Sequence, residues 1–206
     1  MNLIQARELQ RIFESGDERP GGSFGPLQWV TNHREMSEAG KAESHEVART
    51  LIFDGTRDER RYALGFWGAA GLPAGASDAL AQLYLSEADP DPELRRFLGS
   101  YTGHAFSPDV LEALVSRFAA DPEGELDLAG AVAGVADGRA WRALEPLIAA
   151  TQDLKALYGH LNTAYRAGRV PAFCALLARK PPALRSALVD AIALPSLKRD
   201  VRDALG

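Results

Sequence analysis

A glycine recurs at a near-constant interval inside four apolar, helix-like segments of this 206-residue chain. The four residues are Gly65, Gly99, Gly130 and Gly159, and Val189 holds the corresponding place in a fifth segment. The successive intervals are 34, 31, 29 and 30 residues. A fixed period of this length is typical of stacked repeats, in which each unit buries its apolar face against its neighbours. The sequence therefore predicts a layered array of similar units.

The composition of these segments indicates helices. They are rich in alanine and poor in β-branched residues, and no stretch sustains the apolar–polar alternation of a strand. A capping residue before proline, as in Asp91-Pro92 and Ser107-Pro108, marks a helix start. We predict an all-α protein with helices at residues 2–15, 27–37, 42–53, 57–70, 76–86, 91–103, 108–120, 124–136, 139–150, 153–167, 170–179, 182–193 and 196–204.

The beginning of the chain differs from the rest. A glycine- and proline-rich stretch, residues 15–26, follows the first predicted helix and is typical of a loop. We therefore predict two parts. Residues 1–40 form an N-terminal helix, this loop and a capping helix, and residues 41–206 form the repeat array.

Residues 42–194 resemble the short bacterial members of the HEAT-repeat family. The likeness is carried by the segment Arg60 to Gly65, by the segment Asp89 to Gly99 and by the later units. In that family a turn aspartate and a basic residue six positions later tie neighbouring repeats, and Asp89 and Arg95 have this spacing. The resemblance implies a right-handed α-solenoid of about five helical hairpins, HEAT/armadillo-like, with an N-terminal helical extension. It also implies that the second helix of each hairpin lines a concave face.

The second helices place a row of basic residues beside their glycines. Four residues before the glycine position, four of the five segments carry arginine or lysine, on the side opposite the apolar stripe. We predict a shallow groove for a partner, with small residues on its floor and the basic row along one edge. Two alternatives stay open: the glycines serve close helix packing, or the basic residues form ion pairs between repeats. The predicted groove residues are Arg61, Arg95, Lys155, Arg185, Gly99, Thr102 and Asn162.

No motif for catalysis stands out. The chain has no phosphate-binding loop, dinucleotide fingerprint or nucleophile elbow. His33, His45, His104 and His160 lack a second ligand three or four residues away, which disfavours a metal site. Cys174, the one cysteine, lies in an apolar run and is expected to be a buried, inert thiol in a reducing cytoplasm. We predict no enzymatic activity, no cofactor and no metal.

Charge is distributed unevenly along the chain. Residues 86–138 carry 3 basic and 11 acidic side chains, a net of −8, and residues 139–206 carry 11 and 5, a net of +6. Such an asymmetry steers charged partners. The alternative is that these charges are scattered over solvated faces. Because a preformed concave groove captures a partner without a catalytic residue, the sequence predicts a non-enzymatic protein-binding module, such as a scaffold, adaptor or immunity-type protein, whose groove takes an acidic or helical segment of another protein.

Two other functions stay open. One is a nucleic-acid-binding HEAT-like protein such as a DNA alkylation glycosylase, in which Trp67 and Trp141 could stack on a base. The overall charge of −5 argues against nucleic acid as the partner. The other is self-association through the helix ends of the array. No segment has the length and apolar character of a secretory signal or a membrane span, so we predict a cytoplasmic protein that does not bind membranes.

Overall fold

The described residues of the protein are helical throughout. The computed structural model describes residue 34 and residues 37–87, 90–101 and 104–205, and these contain no strand. The all-α prediction is thereby confirmed. The predicted helices at 2–15 and 27–37 lie outside the described residues, apart from Arg34 and Ser37. In chain order the helices are α1 (Glu38–Asp54), α2 (Arg57–Ala70), α3 (Ala76–Ser86), α4 (Pro92–Ser100), α5 (Pro108–Ala120), a 3₁₀ helix (Leu126–Leu128), α6 (Ala129–Val132), α7 (Arg139–Ala150), α8 (Leu154–Arg166), α9 (Val170–Leu177), α10 (Pro182–Ala191) and α11 (Pro195–Leu205).

The chain divides into two compact units, Met1–Ser107 and Pro108–Gly206. In the first, α1 packs on α2, α2 packs on α4, and α3 packs on α4. In the second, α5, α7, α9 and α11 pack one on the next, and so do α6, α8 and α10. Contacts of α5 with α6, α6 with α7, α8 with α9, and α10 with α11 join the two series. The second unit is therefore built from two layers of helices.

Hydrogen bonds inside each unit span about one sequence period. In the first unit, the Ala105 amide donates to Ser77 Oγ at 3.3 Å, across 28 residues. In the second unit, Lys180 Nζ donates to the Thr151 carbonyl oxygen at 2.6 Å, across 29 residues. The interval seen in the sequence is thus also an interval at which hydrogen bonds join separate helices and loops.

Capping residues set several helix starts where the sequence predicts them. Before α2, Thr56 and Glu59 form a reciprocal capping box. Before α4, the Asp91 carboxylate accepts the Glu93 amide at 2.9 Å and Pro92 fills the first helical position. Helix α5 begins at Pro108, as predicted.

The helix predicted at 124–136 is wrong as a continuous element. The structure has only the 3₁₀ helix 126–128 and the four-residue α6 in this stretch. Three glycines, Gly124, Gly130 and Gly134, lie in the predicted span, and each lowers helix propensity. The glycine content of this span therefore favours a break over a regular helix.

Trp67, Trp141 and the cysteine lie in the interior. Trp67 is 1% exposed, Trp141 4% and Cys174 2%. Burial raises the pKa of the Cys174 thiol above its usual value. The prediction of a buried thiol is confirmed, and both indole rings pack in the core. None of the described helices combines the length and apolar character that crossing a membrane requires.

Candidate functional site

A cleft opens between α10 and α11 in the second unit, with a volume of about 400 Å³. Its α10 wall runs from the first turn of that helix to the last. The α11 wall comes from the last turn of the chain's final helix. The lining residues are Pro182, Arg185, Ser186, Val189 and Asp190 on α10 and Arg202 and Leu205 on α11.

Helical spacing explains why two arginines face this cleft. On α11, Leu197 and Val201 are buried and four residues apart, and Leu205 continues the same stripe. Arg202 follows Val201 directly and therefore lies at the edge of the helix contact. On α10, Arg185 precedes the buried Val189 by four residues and shares its face.

The cleft carries uncompensated positive charge. Arg185 is half-buried and Arg202 is exposed, and neither guanidinium has a hydrogen-bond or ion-pair partner in the described part of the chain. Among the described lining residues the one carboxylate is that of Asp190, whose side chain is 78% exposed and lies 3.9 Å from Lys198 Nζ. A guanidinium binds carboxylate or phosphate through paired N–H donors. The cleft is therefore suited to an anionic group.

The same lining offers little for proton transfer. Its described residues include no histidine, cysteine, lysine or glutamate, and arginine does not give up its proton in proteins. The Ser186 hydroxyl has no histidine beside it in the lining to act as a general base. Pro182 and Asp190 are eight residues apart, or about 12 Å along a helix. That length accommodates roughly three to four residues of an extended peptide.

Only one residue of the predicted groove lies in this cleft. Arg185 lines it, whereas Lys155 and Asn162 on α8 of the same unit are exposed but do not. The structure thus brings Arg185 together with Arg202, a residue that the sequence analysis did not select. Arg202 lies after the last recurring position, Val189, so the repeat interval of the glycines does not predict it. The spacing of Leu197, Val201 and Leu205 was the available signal.

The other predicted groove residues have different surroundings. Arg61 is exposed and Arg95 is half-buried, both in the first unit. Gly99 is buried, so it offers no accessible floor there. Thr102 lies outside the described residues. At Gly159, a Cβ atom would meet nothing within 4 Å, so close helix packing does not explain that glycine.

An ion pair between helices does occur, and it is made by Arg60, the neighbour of the predicted residue Arg61. Arg60 Nη1 lies 3.2 Å from Glu87 Oε1 and 3.4 Å from Asp91 Oδ2. The predicted ion pair joins Asp89 and Arg95, and Asp89 lies outside the described residues. The carboxylates observed in the ion pair with Arg60 belong to Glu87 and Asp91. Arg60 rather than Arg61 makes this contact.

Among the described residues, no group of three or more histidine, cysteine, aspartate or glutamate side chains is arranged to hold a metal ion. Comparison of the chain with protein-family models, with curated proteins and with solved structures finds no match. The resemblance to HEAT repeats accordingly stays a prediction, and the function has to be argued from the cleft itself.

Proposed function

We propose that this protein is a non-enzymatic protein-binding module whose α10–α11 cleft takes an acidic segment of another protein. The observation that carries the proposal is the pair of unpartnered guanidiniums, Arg185 and Arg202, beside the apolar side chains of Val189 and Leu205. Arginine next to an apolar floor is a common anchor in protein interfaces, because it supplies both contact area and directed donors.

The fold supports this function without identifying it. Two packed layers in the second unit, and hydrogen bonds across about one sequence period, favour a HEAT-like α-solenoid assembled from helical hairpins. Proteins of this architecture bind partners on preformed surfaces, which need no catalytic residue. A buried single cysteine suits a cytoplasmic location, which is part of the proposal.

DNA is the less favoured partner. The rings proposed to stack on a base, Trp67 and Trp141, are 1% and 4% exposed and so cannot receive one in this conformation. The chain also carries a net charge of −5, whereas duplex binding needs a broad basic footprint. A gel-shift with duplex DNA at low salt tests this alternative directly.

A labelled acidic peptide that alternates glutamate and leucine tests the protein-binding proposal by fluorescence anisotropy. Reversing both cleft charges, as R185E/R202E, should weaken binding by at least about tenfold, or 1.4 kcal/mol. The matched control is R179E/R199E, since both residues are exposed in the same unit and lie outside the cleft lining. The control has the same net charge as the cleft variant. If direct contacts of Arg185 and Arg202 with the peptide determine the affinity, the control should therefore retain binding within about twofold.

Circular dichroism of both variants checks that the helices persist. Equal weakening in the two variants would show a diffuse electrostatic attraction and would contradict the cleft as the site. Loss of helicity in R185E/R202E would show that those arginines are structural.

A further inference from the structure

We propose that the segment seated in the α10–α11 cleft belongs to a second copy of this chain. This inference rests on the proposed function and deepens it by naming the partner. The segment is the acidic turn, defined here as residues 121–127, with the sequence Asp-Pro-Glu-Gly-Glu-Leu-Asp.

Two side chains of the acidic turn carry charge that the described residues do not neutralise. Asp121 and Glu123 are exposed, and neither carboxylate has a basic partner among the described residues. Asp121 Oδ1 accepts only the Gly124 amide, at 3.0 Å. Two other carboxylates of the unit, those of Glu112 and Asp137, bind Arg139.

An apolar side chain accompanies these charges. Leu126 is 40% exposed, which is unusual for a large apolar residue in this structure. It lies three residues after Glu123, and the first two turn carboxylates lie two residues apart.

The turn and the cleft match in composition. Two carboxylates without cations correspond to two guanidiniums without anions, and Leu126 corresponds to the apolar pair Val189 and Leu205. The charge of the surrounding sequence follows the same division, with −8 over residues 86–138 and +6 over residues 139–206. Opposite charge of this kind favours encounter between copies and fixes their register.

The geometry of the unit points to a second molecule as the source of the turn. Arg117 Nε on α5 donates to the buried carboxylate of Glu125 at 2.8 Å, which anchors the turn to α5. The 3₁₀ helix that ends the turn packs on α5 and α6, whereas the cleft helices pack on α8 and α9. Turn and cleft are thus different surfaces of one unit, and their pairing between copies is a head-to-tail interface.

Such an interface has a distinctive consequence for mixtures of variants. A cleft variant, R185A/R202A, keeps its turn and loses its cleft. A turn variant, D121A/E123A/L126A, keeps its cleft and loses its turn. Neither can grow a chain alone, but a mixture retains one intact cleft–turn pair and should form a 1:1 dimer and nothing larger.

Sedimentation velocity of the full chain measures this. We expect wild-type mass to rise with concentration and to fall toward the monomer in about 1 M salt, where the screening length is only about 3 Å. Each variant alone should associate at least about tenfold more weakly. The control variant R179A/R199A should behave as wild type.

Two results would overturn the inference: a wild-type chain that stays monomeric at low salt at every concentration tested, or association that survives R185A/R202A. The peptide experiment separates this failure from that of the proposed function. A monomeric chain that still binds the acidic peptide through Arg185 and Arg202 keeps its function and lacks only this partner. If neither association nor peptide binding occurs, both proposals are wrong.

Discussion

Two arginines, one in each unit, have opposite surroundings. In the first unit, Arg60 is 14% exposed and contacts Glu87 and Asp91 across helices. In the second unit, Arg185 faces a cleft with no carboxylate bound to it. The neighbouring turns differ accordingly: residues 87–91 supply acidic side chains, whereas residues 178–181, before α10, contain none. For these two arginines, the difference in pairing follows the presence or absence of carboxylates in the neighbouring turn.

The largest expected effect tests that contrast. Replacing Arg60 with alanine would remove one of the two cations beside the buried Asp91 carboxylate, the other being Arg57 Nε at 3.5 Å, and would also remove this partner from Glu87. We therefore expect a loss of about 3 kcal/mol in the free energy of unfolding. The same change at Arg185 should stay within about 0.5 kcal/mol. Urea unfolding measures both, and hydrogen exchange shows whether the Arg60 loss falls on the first unit. Equal effects at the two positions would remove the distinction.

A smaller effect is expected where the second unit uses a cation structurally. Lys180 is 6% exposed, and its ammonium donates to the carbonyl oxygens of Ala149 and Thr151 at the end of α7. Burial lowers the pKa of Lys180 below its usual value. Replacement by methionine should cost about 1–3 kcal/mol, because the carbonyl oxygens of Ala149 and Thr151 lose a charged donor.

The control for this prediction is Lys155→Met, since Lys155 is exposed in the same unit. Thermal unfolding of both variants should show a loss only for the Lys180 change. A similar loss in the control would assign the effect to charge or solvation rather than to the hydrogen bonds.

Much of the fold could be predicted from the sequence because helix boundaries depend on local signals. The spans 57–70, 76–86, 108–120 and 139–150 match the observed helices. The prediction was wrong at 124–136, where local apolar content favoured a helix and three glycines favoured a break. Helix propensity is summed over a window of neighbouring residues, and contacts with the rest of the fold can override that sum.

The candidate site could be predicted only in part. The repeat count reached Arg185 because that residue occupies a recurring position. The repeat interval does not predict Arg202. Arg202 lines the same cleft as Arg185 because α11 packs on α10, and this is a contact between separate helices. Whether a basic residue is free or paired also depends on a partner in another element, as Arg60 and Arg61 show. A single sequence does not encode that pairing in its spacing.

The next prediction concerns acid sensitivity in the first unit. The His104 ring lies 3.2 Å (Nδ1) from Ser77 Oγ and 3.3 Å (Nε2) from the Phe97 carbonyl oxygen, and it stacks on Phe106 at 5.0 Å. Since Ser77 Oγ accepts the Ala105 amide, its hydroxyl proton can serve Nδ1, and Nε2–H then donates to Phe97. This arrangement uses the neutral imidazole.

Burial lowers the pKa of His104 below its ordinary value of 6.5, and the hydrogen bond to Phe97 opposes the shift. The unfolded chain therefore binds more protons than the folded one as pH falls below 6.5, and the folded state loses stability over that range. Urea unfolding at pH 7, 6 and 5 should show a steeper decline for wild type than for His104→Gln.

The second unit offers the corresponding comparison. Burial first, and then the charge of Lys180, lower the pKa of His160. His160→Gln should therefore flatten the pH dependence of the second unit, as hydrogen exchange can resolve. Parallel pH profiles in wild type and both variants would show that neither imidazole controls acid stability.

The smallest effect separates two glycines. A Cβ at Gly159 in the second unit would meet nothing within 4 Å, so Gly159→Ala should stabilise the protein by about 0.8–1 kcal/mol through helix propensity. At Gly55 in the first unit, the same atom would collide with the carbonyl oxygen of Leu51, and alanine should destabilise. Thermal unfolding distinguishes the signs. Acidic-peptide binding by Gly159→Ala then tests the role of this glycine. If the variant is more stable but binds the peptide less well, Gly159 contributes to the partner-binding surface. If binding is unchanged, Gly159 is not part of that surface and the α10–α11 cleft remains the proposed site.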